Sequence, residues 1–130
     1  TATFANAAYI TGRAEFDFWA GAGNEGFEAK VRPLAERMTF LEDGGSLRGG
    51  ITAVAAPGHT PGHMAYMVED GGQQVLITAD TANHHVFSLG YPDWEVRFDA
   101  DKAAAAATRR RIFGMAATDR FAILGYHLPF

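Results

Sequence analysis

Three apolar runs of the sequence each lead into a side chain that can bind a metal ion. The runs and the side chains after them are 52–56 with His59, 75–79 with Asp80, and 121–124 with His127. In layered α/β proteins, sites gather just beyond strand ends, where loops can carry polar groups. Strands that share one sheet and one direction would bring the three side chains to one edge. Imidazole and carboxylate ligands without a thiolate suit zinc and other divalent first-row metals.

The segment Pro57-Gly58-His59-Thr60-Pro61-Gly62-His63 is predicted to form a tight loop. Two histidines four apart would share one face of a helix, but the glycines and the second proline exclude a helix here. Proline restricts the backbone and glycine permits positive φ, so the loop is stiff. A stiff loop suits a metal ligand because ligand geometry tolerates little error.

Short strands and helices must position these residues. Apolar runs between Gly-rich turns predict strands at 4–11, 39–42, 51–56, 64–68, 74–78 and 121–124. Helical segments are predicted at 13–19, at 27–38 with a kink or late start caused by Pro33, and at 100–117. Strands followed by a helix and a last strand indicate an α/β or α+β layered fold.

The last helix has a predicted cap, an apolar stripe and an outer face. Asp99 is expected to cap its amino end. Arg109–Arg111 are expected to lie mostly on the solvated outer face. The narrow apolar stripe consists of Ala105, Ile112, Met115 and Ala116.

Composition is that of an ordinary globular domain. The chain has 130 residues, and the 48% that are hydrophobic exclude disorder. Its formal charge of −4 argues against nucleic-acid binding. No apolar run approaches the roughly 20 residues that span a bilayer. The lack of cysteine excludes disulfides and a cysteine nucleophile. We expect a soluble protein, cytoplasmic or periplasmic, that acts on a small molecule and binds neither nucleic acid nor membrane.

Several stretches resemble the metallo-β-lactamase-fold hydrolases, especially the branch of methyl parathion hydrolase and lactonase-like enzymes. The stretches are PGHTPGH at 57–63, TAD ending at Asp80, GYH ending at His127, FANA at 4–7, AEFDFW at 14–19, GITAVAAPGHTPGHMAY at 50–66 and FDADKAAAAATRRR at 98–111. The resemblance covers nearly the whole chain. It implies part of an αββα sandwich, in which a mixed sheet is flanked by helices.

The resemblance also implies a site with two divalent metal ions, zinc being favoured. His59 would bind the first metal, Asp80 would bridge both, and His127 would bind the second. His63 would support the loop rather than bind a metal.

A metal-bridging hydroxide would then attack an ester, a lactone or a phosphotriester, and Asp80 would pass a proton to the leaving group. Trp19, Phe16 and His84 are candidates for the substrate pocket, since aromatic faces bind apolar groups well.

The family's H-x-H-x-D-H motif, which supplies two ligands to each metal, is absent from the sequence. Residues 1–130 are therefore expected to be the C-terminal portion of one such domain, incomplete at both ends and supplying half of the dinuclear site. The isolated chain is expected to be weakly active or inactive. It is also expected to form a homo-oligomer that covers an exposed sheet edge.

Two alternatives remain open. The chain could be a non-catalytic α/β binding or oligomerisation module that retains the metal-site loop for structural reasons. It could also be a hydrolase without metal, in which His127 and Asp80 together act as the general base. This last mechanism needs a nucleophile, and Ser46 and Ser88 lack the glycine pattern of a nucleophile elbow.

Overall fold

The computed structural model describes residues 3–129 and is built around a five-stranded sheet. Its strands are β1 (Tyr9–Gly12), β2 (Met38–Leu41), β3 (Ser46–Leu47), β4 (Ile51–Ala55), β5 (Met64–Asp70), β6 (Gln73–Ala79) and β7 (Ala122–Gly125). Its helices are α1 (Arg13–Gly21), α2 (Glu25–Lys30), a 3₁₀ helix at Arg32–Arg37, α3 (Phe87–Gly90) and α4 (Lys102–Asp119). Strands β1 and β2 form a separate parallel pair.

The large sheet is mixed, with the strand order β3-β4-β5-β6-β7. Pairs from β3 through β6 are antiparallel, whereas β6 and β7 are parallel. Strands β4, β6 and β7 therefore run in the same direction, and their carboxyl ends lie at the same edge of the sheet. The predicted mixed α/β fold with flanking helices is confirmed.

One face of this sheet packs against α4 and forms the core. The strand register places apolar side chains on that face at Val54, Ala65, Met67, Leu76 and Ile123. Leu76 and Ile112 of α4 have no exposed surface. Burying each of these side chains stabilises the fold by roughly 1.5–3 kcal/mol, so this contact fixes α4 against the sheet.

The opposite face is also apolar but only partly covered. Alternate positions of the same strands place Ile51, Met64, Tyr66, Val68, Val75, Ile77 and Leu124 there. All are half-buried except Leu124, which is 43% exposed. A sheet with one solvated face normally alternates apolar and polar residues. This sheet has the residue pattern of one that is covered on both faces.

Most predicted strands are confirmed to within two residues of their bounds, but the first is shorter than predicted. The strand expected at 4–11 begins only at Tyr9. The N–H of Ala7 donates to the carbonyl of Phe4 at 3.1 Å, and this turn occupies the residues before the strand.

The helix predicted over 27–38 is instead two short helices and the start of a strand. Helix α2 ends at Lys30, and the 3₁₀ helix begins at Arg32. Pro33 lies in the first turn of the second helix, where the missing N–H removes no helical hydrogen bond. Met38 begins β2.

Helix α4 begins later than predicted, and the expected cap is wrong. Asp101 is the capping residue, and its side chain accepts a hydrogen bond from the N–H of Ala104 at 2.9 Å. Asp99 is buried and pairs with Arg109 at 2.9 Å. The outer-face prediction is also wrong for Arg109, which is 1% exposed, although Arg110 and Arg111 are exposed.

No helix within residues 3–129 combines the length and the apolar character needed to cross a bilayer.

Candidate functional site

The shared edge of β4, β6 and β7 opens onto one cavity of about 470 Å³. Its lining consists of His59, Asp80, Asn83, Val96, Phe98 and His127. His59, Asp80 and His127 follow β4, β6 and β7 respectively. The three side chains therefore meet at one sheet edge, as their positions after the strands predicted. Their role as metal ligands stays a prediction.

Asp80 and His127 are in direct contact. Nε2 of His127 lies 3.0 Å from Oδ1 of Asp80. Asp80 follows Ala79, whose φ of 47° is in the left-handed region that alanine rarely adopts. The register of β6 and β7 also shifts between Ile77 and Ala79. This irregularity redirects the chain where Asp80 leaves the strand.

The loop that carries His59 and His63 is held by close contact with two helices. A Cβ on Gly58 would lie 2.3 Å from the Cα of Ala105 in α4, and its φ of +136° also favours glycine. A Cβ on Gly62 would lie 2.0 Å from the backbone nitrogen of Glu15 in α1. Each glycine thus permits a helix backbone to approach the loop.

Hydrogen bonds tie the same loop to the same helices. The Thr60 hydroxyl donates to the Glu15 carboxylate at 2.6 Å, and the Thr108 hydroxyl donates to the Pro57 carbonyl at 2.6 Å. Thr60 and Thr108 are both buried, so these bonds are shielded from water. The loop is therefore fixed from both sides.

His63 connects the ends of two strands. Its Nδ1 lies 2.9 Å from the carbonyl of Ala56, and its Nε2 accepts the backbone N–H of Asp80 at 3.1 Å. This pair of contacts requires a neutral ring with the proton on Nδ1. Burial lowers the pKa of His63, which favours that neutral form. The supporting role of His63 stays a prediction.

His59 contacts a buried ion pair that the sequence did not reveal. Its Nδ1 lies 3.3 Å from Oδ1 of Asp99, and Oδ2 of Asp99 accepts a hydrogen bond from Arg109 at 2.9 Å. The side chains of Asp99 and Arg109 are 0% and 1% exposed. Arg109 falls at the spacing of the apolar stripe, between Ala105 and Ile112, and this spacing was the signal for its burial.

Two of the predicted pocket residues lie elsewhere. Phe16 is buried edge-to-face against Phe27 and Phe40, with ring centroids 5.1 Å apart in each pair. Trp19 donates its indole N–H to Glu15 at 2.8 Å. Neither side chain lines the 470 Å³ cavity. Their role in substrate binding stays a prediction.

His84 belongs to a run of stacked rings beside the site. Its ring stacks on His85 and Phe87, and the stack continues through Trp94 to Tyr91. Four of these residues form an aromatic segment, His84, Phe87, Tyr91 and Trp94, that lines a second cavity of about 270 Å³. This cavity shares Asn83 and Val96 with the first. An apolar surface therefore adjoins the polar edge, and sequence reasoning identified only His84 within it.

The donors fit part of a metal site. The 3.0 Å between Asp80 and His127 is about the spacing of adjacent ligands that each lie about 2.1 Å from an ion. Within residues 3–129, however, no group of three or more His, Cys, Asp or Glu side chains is close enough to hold a metal ion. Two side-chain oxygens near this edge, Thr81 Oγ1 and Asn83 Oδ1, are buried and have no hydrogen-bond partner among residues 3–129. Buried polar atoms normally have a hydrogen-bond partner, so these two atoms distinguish this edge from the rest of the core.

Comparison with protein families supplies the assignment. Residues 3–122 match the family model of the metallo-beta-lactamase superfamily. The chain belongs to the metallo-β-lactamase superfamily. No curated protein matches the sequence.

Solved structures share this metallo-β-lactamase fold at low sequence identity. AidC, a dizinc quorum-quenching lactonase in complex with a product, N-hexanoyl-L-homoserine, has a TM-score of 0.84 at 24% identity. The hydrolase AbOPH of the beta lactamase superfamily has a TM-score of 0.87 at 24% identity. A probable metal-dependent hydrolase from Staphylococcus aureus has a TM-score of 0.80 at 18% identity. These matches cover 100%, 100% and 97% of this chain but 51%, 50% and 46% of the other chains, so this chain spans about half their length.

Proposed function

We propose that this chain is the C-terminal portion of a metal-dependent hydrolase of the lactonase-like branch and supplies half of a dinuclear site. The observation that carries the proposal is that His59, Asp80 and His127 line one cavity just beyond the ends of three strands that run in the same direction. The superfamily match and the dizinc lactonase among the similar structures support the proposed dependence on divalent metal ions. Zinc is favoured because the donors are imidazole and carboxylate.

The side chains of this portion would hold the metals in place. His59 would use Nε2, because its Nδ1 already faces Asp99. Asp80 would help to hold both ions, and its backbone N–H is fixed by donation to Nε2 of His63. Bound divalent ions would lower the pKa of a water molecule and polarise the oxygen under attack. Asp80 would also hold a proton and pass it to the leaving group.

The proposed substrate is an ester, lactone or phosphotriester that carries an apolar group. The polar edge would hold the reacting bond, and the aromatic segment that lines the adjoining cavity would contact the apolar group. A lactone with an acyl chain is the first substrate to test, since AidC is a lactonase.

The test uses a protein that also includes the upstream half of the domain, as this proposal expects the full-length protein to do. We expect elemental analysis to find about two divalent ions per molecule, and we expect hydrolysis of acyl lactones or phenyl esters. His59→Ala and Asp80→Ala should each abolish hydrolysis, while Asp101→Asn should retain it, because asparagine also caps helices. Absence of metal from the full-length protein would overturn the proposal.

The two alternatives predict different results. A non-catalytic module would keep its partner binding when His59 and Asp80 are both replaced by alanine. A metal-free hydrolase would remain active after treatment with a chelator. Its nucleophile is not found in the main cavity: within residues 3–129, no serine lines it, and Ser88 is buried with its Oγ bonded to the N–H groups of Asn83 and His84.

A further inference from the structure

We propose that Asp99 and Arg109 are positioning residues that hold His59 in a single tautomer, with the proton on Nδ1 and Nε2 left free for a ligand. The ring nitrogen that faces Asp99 is Nδ1, at 3.3 Å from Oδ1. A carboxylate accepts hydrogen bonds but cannot donate them, so this contact favours a proton on Nδ1. The inference concerns the metal-free chain first, and only its second test rests on the proposed function.

The Asp99 carboxylate can orient His59 because its own position is fixed. Its other oxygen, Oδ2, accepts from Nη1 of Arg109 at 2.9 Å, and both side chains are excluded from water. A charge-assisted bond of this kind is stronger and more directional than a neutral one. Each oxygen of Asp99 thus has one defined partner.

Arg109 is in turn fixed by two backbone carbonyls. Its Nε donates to the carbonyl of Pro92 at 2.8 Å, and its Nη2 donates to the carbonyl of Trp94 at 3.0 Å. The planar guanidinium thereby has partners on three sides, an arrangement that the single ammonium of lysine cannot reproduce. One buried arginine therefore joins α4, the backbone of residues 92–94 and, through Asp99, the loop of His59.

The backbone keeps His59 in register with this pair. The N–H of Ala100 donates to the carbonyl of His59 at 3.1 Å, and the N–H of Asp101 donates to the carbonyl of Gly58 at 2.9 Å. These bonds place the segment that carries Asp99 alongside the loop. The remaining freedom of His59 is rotation of its ring, which the Asp99 carboxylate restricts.

The decisive experiment measures the His59 tautomer in the metal-free chain at about pH 8, where an ordinary histidine is neutral. Long-range ¹H–¹⁵N spectra distinguish a protonated from an unprotonated ring nitrogen, and His59→Gln assigns the signals. We expect a protonated Nδ1 and an unprotonated Nε2. A protonated Nε2, or a rapidly exchanging mixture, in the wild-type chain would overturn the inference without any variant at Asp99.

Variants then test which residues impose the tautomer. Asp99→Asn and Arg109→Lys should each convert the single tautomer into a mixture. Asp101→Asn is the matched control, since Asp101 lies two positions away, its side chain caps α4, and the substitution keeps its backbone N–H bond to Gly58. If Asp99→Asn folds by circular dichroism and leaves the tautomer unchanged, the positioning role is wrong. If it does not fold, the wild-type spectrum and Arg109→Lys decide.

A zinc titration of the full-length protein provides the second test. Loss of a residue that orients a ligand typically reduces metal affinity 10–100-fold. We expect a reduction of about that size for Asp99→Asn and no change for Asp101→Asn. If the wild-type protein binds no zinc but shows the expected tautomer, the proposed function fails and the positioning pair is supported.

Discussion

Gly58 and Gly62 are the residues that let two helices reach the site loop. A side chain at either position would overlap a helix backbone, so these glycines are required by packing as well as by chain conformation. His59 and His63 are therefore held by contacts that their neighbours make possible. In both Pro-Gly-His repeats, the glycine is required because a helix backbone packs against it.

Gly58→Ala should destabilise the protein strongly. The new Cβ would meet the backbone of Ala105, and the φ of +136° is strained for alanine, so we expect a loss of about 2–4 kcal/mol in the free energy of unfolding. Gly114→Ala is the matched control in α4, where no atom lies within 4 Å of the added Cβ. It should stabilise by about 0.5–1 kcal/mol. Equal effects of the two in urea denaturation would contradict this packing argument.

Ala79→Gly should cost little stability, although glycine normally weakens a strand. Alanine at a φ of 47° is already strained by about 1–2 kcal/mol, and glycine relieves that strain. We expect a change below about 0.5 kcal/mol in the free energy of unfolding. Ala55→Gly in β4 has no such relief and should cost about 1 kcal/mol. A similar loss in both variants would show that Ala79 is not strained.

Sequence reasoning found the residues that follow strands and missed those that a helix buries. His59, Asp80 and His127 were recognisable because each comes after an apolar run. The sequence predicts Asp99 as the helix cap, but two aspartates precede α4 and local sequence does not show which of them is buried. Only the packed structure shows that Asp101 caps the helix and that Asp99 pairs with Arg109.

Helix α4 is the element that connects the sheet to the site. Its apolar stripe covers one face of the sheet, and its polar residues reach the loop and the end of β4. Thr108 bonds to the carbonyl of Pro57, and Arg111 bonds to that of Ala55. The helix therefore supports the site through polar side chains whose role cannot be predicted from its Ala-rich sequence.

Thr108→Val tests this connection while preserving side-chain shape. The variant leaves the buried carbonyl of Pro57 without its partner, so we expect a loss of about 1–3 kcal/mol in the free energy of unfolding. Thr118→Val, at an exposed position of the same helix, should change it by less than about 0.5 kcal/mol. Indistinguishable unfolding midpoints for the two variants would show that the Thr108 bond contributes nothing.

The order of strands and helices was predictable to a large extent, because apolar runs between Gly-rich turns mark β2, β4, β5, β6 and β7. The segment at 27–38 was not, since an apolar spacing of three and four residues also fits two short helices joined at Val31. The pairing of β1 with β2 could not be predicted from the sequence either. It joins residues about 29 apart, Tyr9 and Met38, with no local signal.

At the scale of the whole molecule, the sheet is apolar on both faces but covered by α4 on only one. The second face holds aliphatic side chains from four strands that are half-buried or exposed. Surfaces of this kind normally pack against another layer or another chain. This face adds a second basis for the expected homo-oligomer, besides the exposed sheet edge.

The 130-residue chain should therefore self-associate through this face. We expect sedimentation velocity to show a concentration-dependent dimer or larger species, and Ile77→Lys should shift the population to monomer by placing a charge on the contact surface. Gln74→Lys, an exposed position of the same strand, is the control and should leave the association unchanged. A monomer at all concentrations would contradict the expectation.

The doubly held loop also has a consequence for the order of events in folding. The bonds that fix it join residues 45 and 51 positions apart, one toward each end of the chain. Contacts of such long range form only after most of the chain has been brought together. The site should therefore be assembled in the last steps of folding, and substitutions in the loop should accelerate unfolding more than they slow refolding. An intact loop then reports that α1 and α4 have both reached their native positions.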